Sequence, residues 1–278
     1  MKNLVQLANT YIKSVTRRNI QASHGYNFID VISHAGQDEN IIFQVNLGRK
    51  TYCGKVGKSS KMQAEWEVCN LVKGPCVMPG ITFIEVDEQR GALITPRYTD
   101  SVASFVQSKN ENPESKIVLT LLCGLSAIKS FNDKGKHHCD IKPSNMMVDN
   151  DGMIVLIDFG SVADTGALLS SCTPGMSIRR GSPSLGFDLS CLVTTVMQLM
   201  FRNYDKYRTM EHVQQQIGIM KSIYPTLCEM LLKLPIDQEV SVDEFVAVSR
   251  ELFKLGAGIM PESDLHLLTR ANIFTLQD

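Results

Sequence analysis

The sequence predicts an α+β protein in two parts: a strand-rich N-terminal part with one helix, and a larger, mainly helical C-terminal part. Three observations carry this. Short β-branched and aromatic runs bounded by turn residues occupy residues 27–97, as paired strands require. Apolar residues at helical spacing dominate after Tyr98. The length of 278 residues corresponds to about two units at roughly 150 residues each.

Taken in order, Leu4, Leu7, Ala8, Tyr11 and Ile12 share one helical face, which predicts a helical extension over 1–26. Asn27 to Ile32 reads as extended. Ile41 to Leu47, Gly48 and then Thr51 to Val56 read as a hairpin. A helix is expected over 59–72, strands over 81–86 and 92–95, and a junction near 96–100. Val118, Leu121, Leu122, Leu125 and Ile128 define a helix over 115–132. Two short strands, 146–148 and 153–157, precede a long apolar helix at 187–201 and helices near 211–222, 224–234 and 241–255. Gly256 and Gly258 suit a helix stop. The expected domains are therefore 1–26, an N-lobe over 27–97, a C-lobe over 98–255 and an extension over 256–278.

Composition narrows the function. Lys plus Arg number 28 against 29 Asp plus Glu, too balanced for a sequence-independent nucleic-acid binder. A hydrophobic fraction of 44% with 21% charged residues argues for a folded globular chain. The eight cysteines include no C-x-x-C pair, so reduced thiols are expected rather than a disulfide scaffold or zinc site. The 13 methionines read as packing residues. No apolar run approaches the roughly 20 residues of a membrane span, and the start has no secretory signal pattern. The expectation is an intracellular, cytoplasmic protein with no nucleic-acid partner and no membrane span.

The chemistry concentrates in His137-His-Cys-Asp-Ile-Lys-Pro-Ser-Asn145 and Asp158-Phe-Gly160. These segments supply two carboxylates, an amide oxygen and a lysine. Carboxylate and amide oxygens suit hard divalent cations, which bind together with phosphate and water. A lysine can neutralise a phosphoryl group in transfer, and an aspartate outside the metal shell can orient a hydroxyl and accept its proton.

His138-Cys-Asp140-Ile-Lys142-Pro-Ser-Asn145 followed by Asp158-Phe159-Gly160 resembles the catalytic loop and metal-binding motif of eukaryotic-type protein kinases, in the D-x-K-P-x-N form of the Ser/Thr branch. The resemblance spans roughly residues 27–253 and implies a bilobal protein-kinase-like fold: an antiparallel β-sheet N-lobe with one helix and a mainly α-helical C-lobe. It implies ATP and Mg2+ as cofactors, protein substrates, Asp140 as catalytic base, Lys142 on the γ-phosphate, and Asn145 and Asp158 as metal ligands. Tyr52-Cys-Gly-Lys55-Val is similar to V-A-I-K, so Lys55 would hold nucleotide phosphates. Its glutamate partner is taken as Glu65, beside Val68, Leu71 and Val72; Glu67, turned about 200° away on the helix, should face solvent. Thr95, Pro96 and Tyr98 would form the adenine-binding hinge, where Pro96 lacks a donor.

The chain also departs from the family pattern. Only Gly36 stands where a glycine-rich loop is expected, with Asp38 and Glu39 beside it and His34 nearby. Cys139 replaces the arginine that receives an activation-segment phosphate, so such control should be absent. Thr173-Pro-Gly175 resembles the element whose threonine contacts the catalytic Asp and Lys. No A-P-E follows: Met176-Ser-Ile-Arg-Arg180 stands there, and Glu239 occupies the partner arginine's place, so both halves of that ion pair should be missing. Arg179 and Arg180 are then expected to be solvated. Asp188 should anchor the catalytic-loop backbone. An active Ser/Thr kinase is the first reading. A pseudokinase acting as a protein-binding or scaffold module, and a small-molecule phosphotransferase, are the alternatives.

Overall fold

The computed structural model describes residues 25–35, 40–98, 100–107, 113–169, 172–179, 181–202, 209–236 and 238–274. The expected helix within residues 1–24, and Gly36, Asp38, Glu39 and Arg180, lie outside them, as does the side chain of His34. Two compact units result. One runs to Leu71 and resumes at Met78–Arg97; the other takes Val72–Val77 and everything from Tyr98 onward.

The first unit is a five-stranded antiparallel sheet of β1 (Asn27–Ala35), β2 (Asn40–Leu47), β3 (Lys50–Lys58), β4 (Thr82–Glu85) and β5 (Arg90–Pro96), in the order β1-β2-β3-β5-β4. One helix, α1 (Ser59–Leu71), joins it. Period-2 alternation sends Ile41, Phe43 and Val45 of β2 inward, into a core with Tyr26, Val56, Ile84 and Ile94. Gly54 makes room for that core: a Cβ there would stand 2.1 Å from the Phe43 ring, and Phe43 and Gly54 are register partners. On the opposite face of β3, Gly57 lets Met62 of α1 approach, and Lys55 shares that face.

The second unit is built on two buried helices. In α4 (Leu185–Phe201) every residue through Met200 is buried, as expected of a helix apolar all round. In α3 (Pro113–Asn132) the same holds from Ser115 through Ile128. They approach closely at Gly124, where a Cβ would meet Leu192 at 2.4 Å. Short pieces surround them: β6 (Asp100–Ser101), α2 (Val102–Gln107), β7 (Lys136–His137), β8 (Met146–Val148), β9 (Ile154–Leu156) and β10 (Ala163–Asp164). Helices α5 (Met210–Met220), α6 (Pro225–Leu232), α7 (Val242–Ala257) and α8 (Leu265–Ala271) complete the unit. Side-chain oxygens of Ser184, Thr209 and Ser241 cap α4, α5 and α7 by accepting backbone N–H bonds. Among the described residues this gives eight helices and three sheets.

Some elements escaped the sequence reading. Helix α2 is too short to show periodicity. Residues 72–77 join the helical unit because Leu156 donates to the Cys76 carbonyl at 2.8 Å and Val77 bridges Leu156. Beyond α7, which stops at Gly258, the chain forms α8 and buries Phe274 against Phe245 and Phe253. Arg250 Nε donates to the Phe274 carbonyl at 2.6 Å. None of the eight cysteines forms a disulfide, and six are buried, as packing residues should be. Met153 is likewise buried, 3.6 Å from Cys123 Sγ. No helix of the described residues is long and apolar enough to cross a membrane.

Candidate active site

In the first unit, strand alternation aims Lys55 at α1, and its Nζ meets Glu65 Oε1 at 2.7 Å. Glu65 is buried and Glu67 exposed, as their rotation on the helix requires. The stripe holding Glu65 is Met62, Cys69 and Val72, however. Leu71 is 45% exposed, so the apolar neighbours expected beside Glu65 are only partly the ones that bury it. Thr95 is buried on β5 opposite Cys53, and Pro96 pairs with Tyr52 at the strand end. Arg97 donates to Gln44 Oε1 at 2.5 Å, and Tyr98 opens the second unit.

The loop from His137 to Asn145 in the second unit is held from three sides. Cys139 adopts φ 64°, the left-handed region that non-glycine residues avoid. Asp188, at the start of α4, accepts N–H bonds from His138 and Cys139, each at 2.8 Å. Burial raises the Asp188 carboxyl to about 7, outweighing the two amide N–H bonds that lower it. Thr195 Oγ1 donates to the Ile141 carbonyl at 3.3 Å. His138 Nδ1 accepts from the Asp140 N–H at 3.3 Å while Nε2 faces the Ile157 carbonyl at 3.1 Å, which assigns the proton to Nε2. Burial keeps its pKa low, so the ring is neutral. It packs edge-on against Phe131 and Phe159, tying the Phe-Gly step to the loop.

A hydrogen-bonded polar cluster forms inside this frame. Asp140 Oδ2 lies 2.6 Å from Lys142 Nζ and 3.2 Å from Asn145 Nδ2, and Oδ1 accepts from the Thr173 N–H at 3.0 Å. Lys142 Nζ also donates to Thr173 Oγ1 at 2.8 Å. Thr173 thus touches both the aspartate and the lysine. Asp140 is 7% exposed, its carboxylate oriented by three donors. Cys139 is fully buried, its Sγ 3.4 Å from the His137 carbonyl, and burial raises the thiol far above its usual range. It is packing, with no reactive thiolate.

Asn145 and Asp158 are brought near each other through the backbone: the Ile157 N–H donates to the Asn145 carbonyl at 2.9 Å. Asn145 spends Nδ2 on the Asp140 carbonyl and carboxylate, and its Oδ1 accepts no hydrogen bond among the described residues. Asp158 sits at φ 65°. Two oxygen donors fit a hard divalent cation whose shell phosphate oxygens and water complete. Among the described residues no three His, Cys, Asp or Glu side chains form an all-protein cage.

The ion pair expected to be missing has an electrostatic counterpart of opposite sign. The Arg179 guanidinium pairs with Glu239 and also donates to the Gln238 carbonyl. Gly186 admits it, since a Cβ there would stand 2.5 Å from Arg179 Nη1. Arg179 is therefore not a solvated arginine: its side chain is 17% exposed. The signal was present as opposite charges at 179 and 239, but only the chain path shows that they meet. Because Glu239 is 83% exposed and solvent screens the pair, the single Arg179→Glu change is expected to cost about 1 kcal/mol, lowering the melting temperature by roughly 2–4 °C. Reversing both residues together should recover at least half of that loss, as coupled neighbours do; thermal melts of the three proteins test it. Gln198, lining a cavity beside Lys142, was not singled out by any sequence signal.

A sequence model of the Protein kinase domain family matches residues 38–174. The chain is similar to Serine/threonine-protein kinase F of Synechocystis sp., 28% identical over 156 residues, 49% of this chain and 30% of that one. It is similar to Serine/threonine-protein kinase RUNKEL of Arabidopsis thaliana, 26% identical over 133 residues, 47% of this chain and 10% of that one. Serine/threonine-protein kinase PSK2 of Saccharomyces cerevisiae is 26% identical over 164 residues, 52% of this chain and 15% of that one. The chain thus spans less than a third of the length of these relatives. With a five-stranded antiparallel unit carrying a Lys–Glu pair and a helical unit carrying the Asp-Lys-Asn loop, the chain belongs to the eukaryotic-type protein kinase superfamily, as a divergent member similar to its Ser/Thr branch.

Proposed function

We propose that this chain transfers the γ-phosphoryl group of ATP, with Mg2+, to Ser/Thr hydroxyls of protein substrates. The single observation that carries the reading is the Asp140–Lys142–Thr173–Asn145 cluster, with distances between 2.6 and 3.2 Å. In it Asp140 Oδ2 is the proton acceptor for the substrate hydroxyl, and Lys142 neutralises charge on the group in transfer. Asn145 Oδ1 and the Asp158 carboxylate are the residues that would hold the cation, which supplies charge neutralisation on the phosphates when bound. Lys55, kept in place by Glu65, pairs with nucleotide phosphates, and Thr95, Pro96 and Tyr98 belong to the adenine-binding hinge. The pseudokinase reading is less favoured, because the chain keeps a candidate for each charged group the chemistry needs: Lys55 bonded to Glu65, and Asp140 bonded to Lys142, with Asp158 following.

Radiolabelled ATP with magnesium and a mixed protein substrate tests this. Wild type should label Ser/Thr, and Lys55→Met should lose both labelling and the nucleotide-induced rise in melting temperature. No transfer and no thermal shift in wild type would reject the kinase reading; transfer to an added sugar or lipid head group would favour a small-molecule phosphotransferase.

Activity independent of activation-segment phosphorylation belongs to the same proposal. Cys139 stands buried where a phosphate-binding cation would be needed, and a thiol cannot pair with phosphate. Phosphatase treatment is expected to leave the transfer rate unchanged, and its abolition would overturn this part alone.

A further inference from the structure

The helical unit gathers three sulfur atoms that phosphoryl transfer does not use. Cys76 comes from the 72–77 segment, Cys123 from the middle of α3, and Met153 from the residue before β9. Cys76 Sγ stands 3.9 Å from Met153 Sδ, and Cys123 Sγ stands 3.6 Å from it. The two thiols also hydrogen-bond each other. The sulfurs therefore close a triangle, and none of the three residues is more than 1% exposed.

The size of that triangle is informative. Three sulfurs bound to one ion at about 2.3 Å, the usual metal–thiolate length, lie about 4 Å apart in a trigonal plane. The edges already approach that length, so an ion that replaces the thiol protons at the centre needs only small shifts of the side chains. Ligand type then selects the ion. Thiolate and thioether are soft donors, which suit Cu+. Zinc asks for four ligands, and no third His, Cys, Asp or Glu completes a set with these two cysteines among the described residues. Cys76 feels the charges of Asp149 and Arg270, and Arg270 of α8 pairs with Asp151 at the surface at 3.0 Å. Opening of this short helix, of seven residues, gives an ion its way in, since chain ends open at low cost.

We propose that Cys76, Cys123 and Met153 form a trigonal site for a soft monovalent cation, with Cu+ as the physiological ion and Ag+ as its redox-inert equivalent. Two S–H bonds break, two metal–thiolate bonds and one metal–thioether bond form, two protons leave to the buffer, and no electron moves. The centre then carries one negative charge, with Arg270 as the neighbouring cation. The Cys123 thiol and burial hold the Cys76 thiol well above its usual range, so the ion has to displace protons. Affinity should accordingly climb with pH, about tenfold per unit for each proton displaced. Once bound, the ion ties the 72–77 segment and α3 to the strand that leads to Asp158. The site stands or falls separately from the kinase reading.

Anaerobic titration of the full chain with Cu+, in competition with a coloured Cu+ chelator, tests the assignment. Cys53→Ser with Cys172→Ser serves as the background, since these are the two cysteines that are not buried. That protein should bind one Cu+ per chain, melt at a higher temperature when loaded, and show three sulfur neighbours at about 2.3 Å by X-ray absorption. Cys76→Ser or Cys123→Ser should weaken binding by at least about a hundredfold, more than loss of an outer-shell group costs. Met153→Leu keeps volume and apolarity, so the fold should hold, yet binding should weaken by about tenfold. No stoichiometric binding by the background protein would overturn the proposal. So would affinity unchanged in Met153→Leu and both serine variants, a nitrogen or oxygen ligand in the absorption spectrum, or Zn2+ bound as tightly as Cu+.

Discussion

Asp140→Asn is expected to lower phosphoryl transfer by about 10²–10⁴-fold, the usual worth of a positioned general base. The amide keeps the shape of the carboxylate, so its oxygen can still accept the Thr173 N–H now bound at 3.0 Å. What disappears is the basic oxygen that Lys142 and Asn145 hold at 2.6 and 3.2 Å. The variant's NH2 then faces two donors, and Lys142 loses its counter-charge. Because the lysine side chain is 24% exposed, solvent screens that loss, and the cost in stability should stay near 1 kcal/mol. Initial rates with radiolabelled ATP, beside thermal melts with and without nucleotide, separate the two effects. A variant that keeps its rate within threefold of wild type would remove Asp140 from the chemistry.

The largest structural effect is expected from Asp188→Asn. Asp188 is fully buried and answers two backbone donors, from His138 and Cys139, with its two oxygens at 2.8 Å each. Cys139 is held at φ 64°, a conformation that persists only when its surroundings over-determine it. Asparagine offers one oxygen and turns an NH2 toward the other amide, leaving a buried donor unmet. The loss should be about 3 kcal/mol, a fall of roughly 6–12 °C in melting temperature for a unit of this size. Transfer should fall as well, because Asp140 is the next residue. Hydrogen exchange at His138, Cys139 and Asp140 would show the loop loosening, and unchanged protection at those amides would reject the anchoring role.

Much of the site was legible because its parts are close in sequence. Asp140, Lys142 and Asn145 lie within one short loop, where chain geometry leaves few ways to arrange them. Glu65 over Glu67 followed from helical rotation, and Lys55 from its place on a strand before a helix. The apolar stripe around Glu65 was harder: Leu71 is exposed and Cys69 buried, since a sheet covers only part of the face that periodicity marks. The fate of residues beyond 256 was equally hidden, because Phe274 is buried by two phenylalanines of α7 rather than by any local pattern.

The sequence by itself determined the two-part α+β organisation, the family resemblance and the identity of the charged groups, all of which depend on spacing within a few turns or strands. Asp188 was expected to anchor the loop from the family resemblance, and it does so across intervals of 49 and 50 positions. Tertiary structure alone decided two things. Arg179 meets Glu239 across an interval of 60 positions, restoring an ion pair with its polarity reversed. Gln198 is buried with an oxygen that has no partner among the described residues. The reason is common to both: burial and pairing between distant residues depend on where the chain returns, and helical or strand periodicity carries no record of that path.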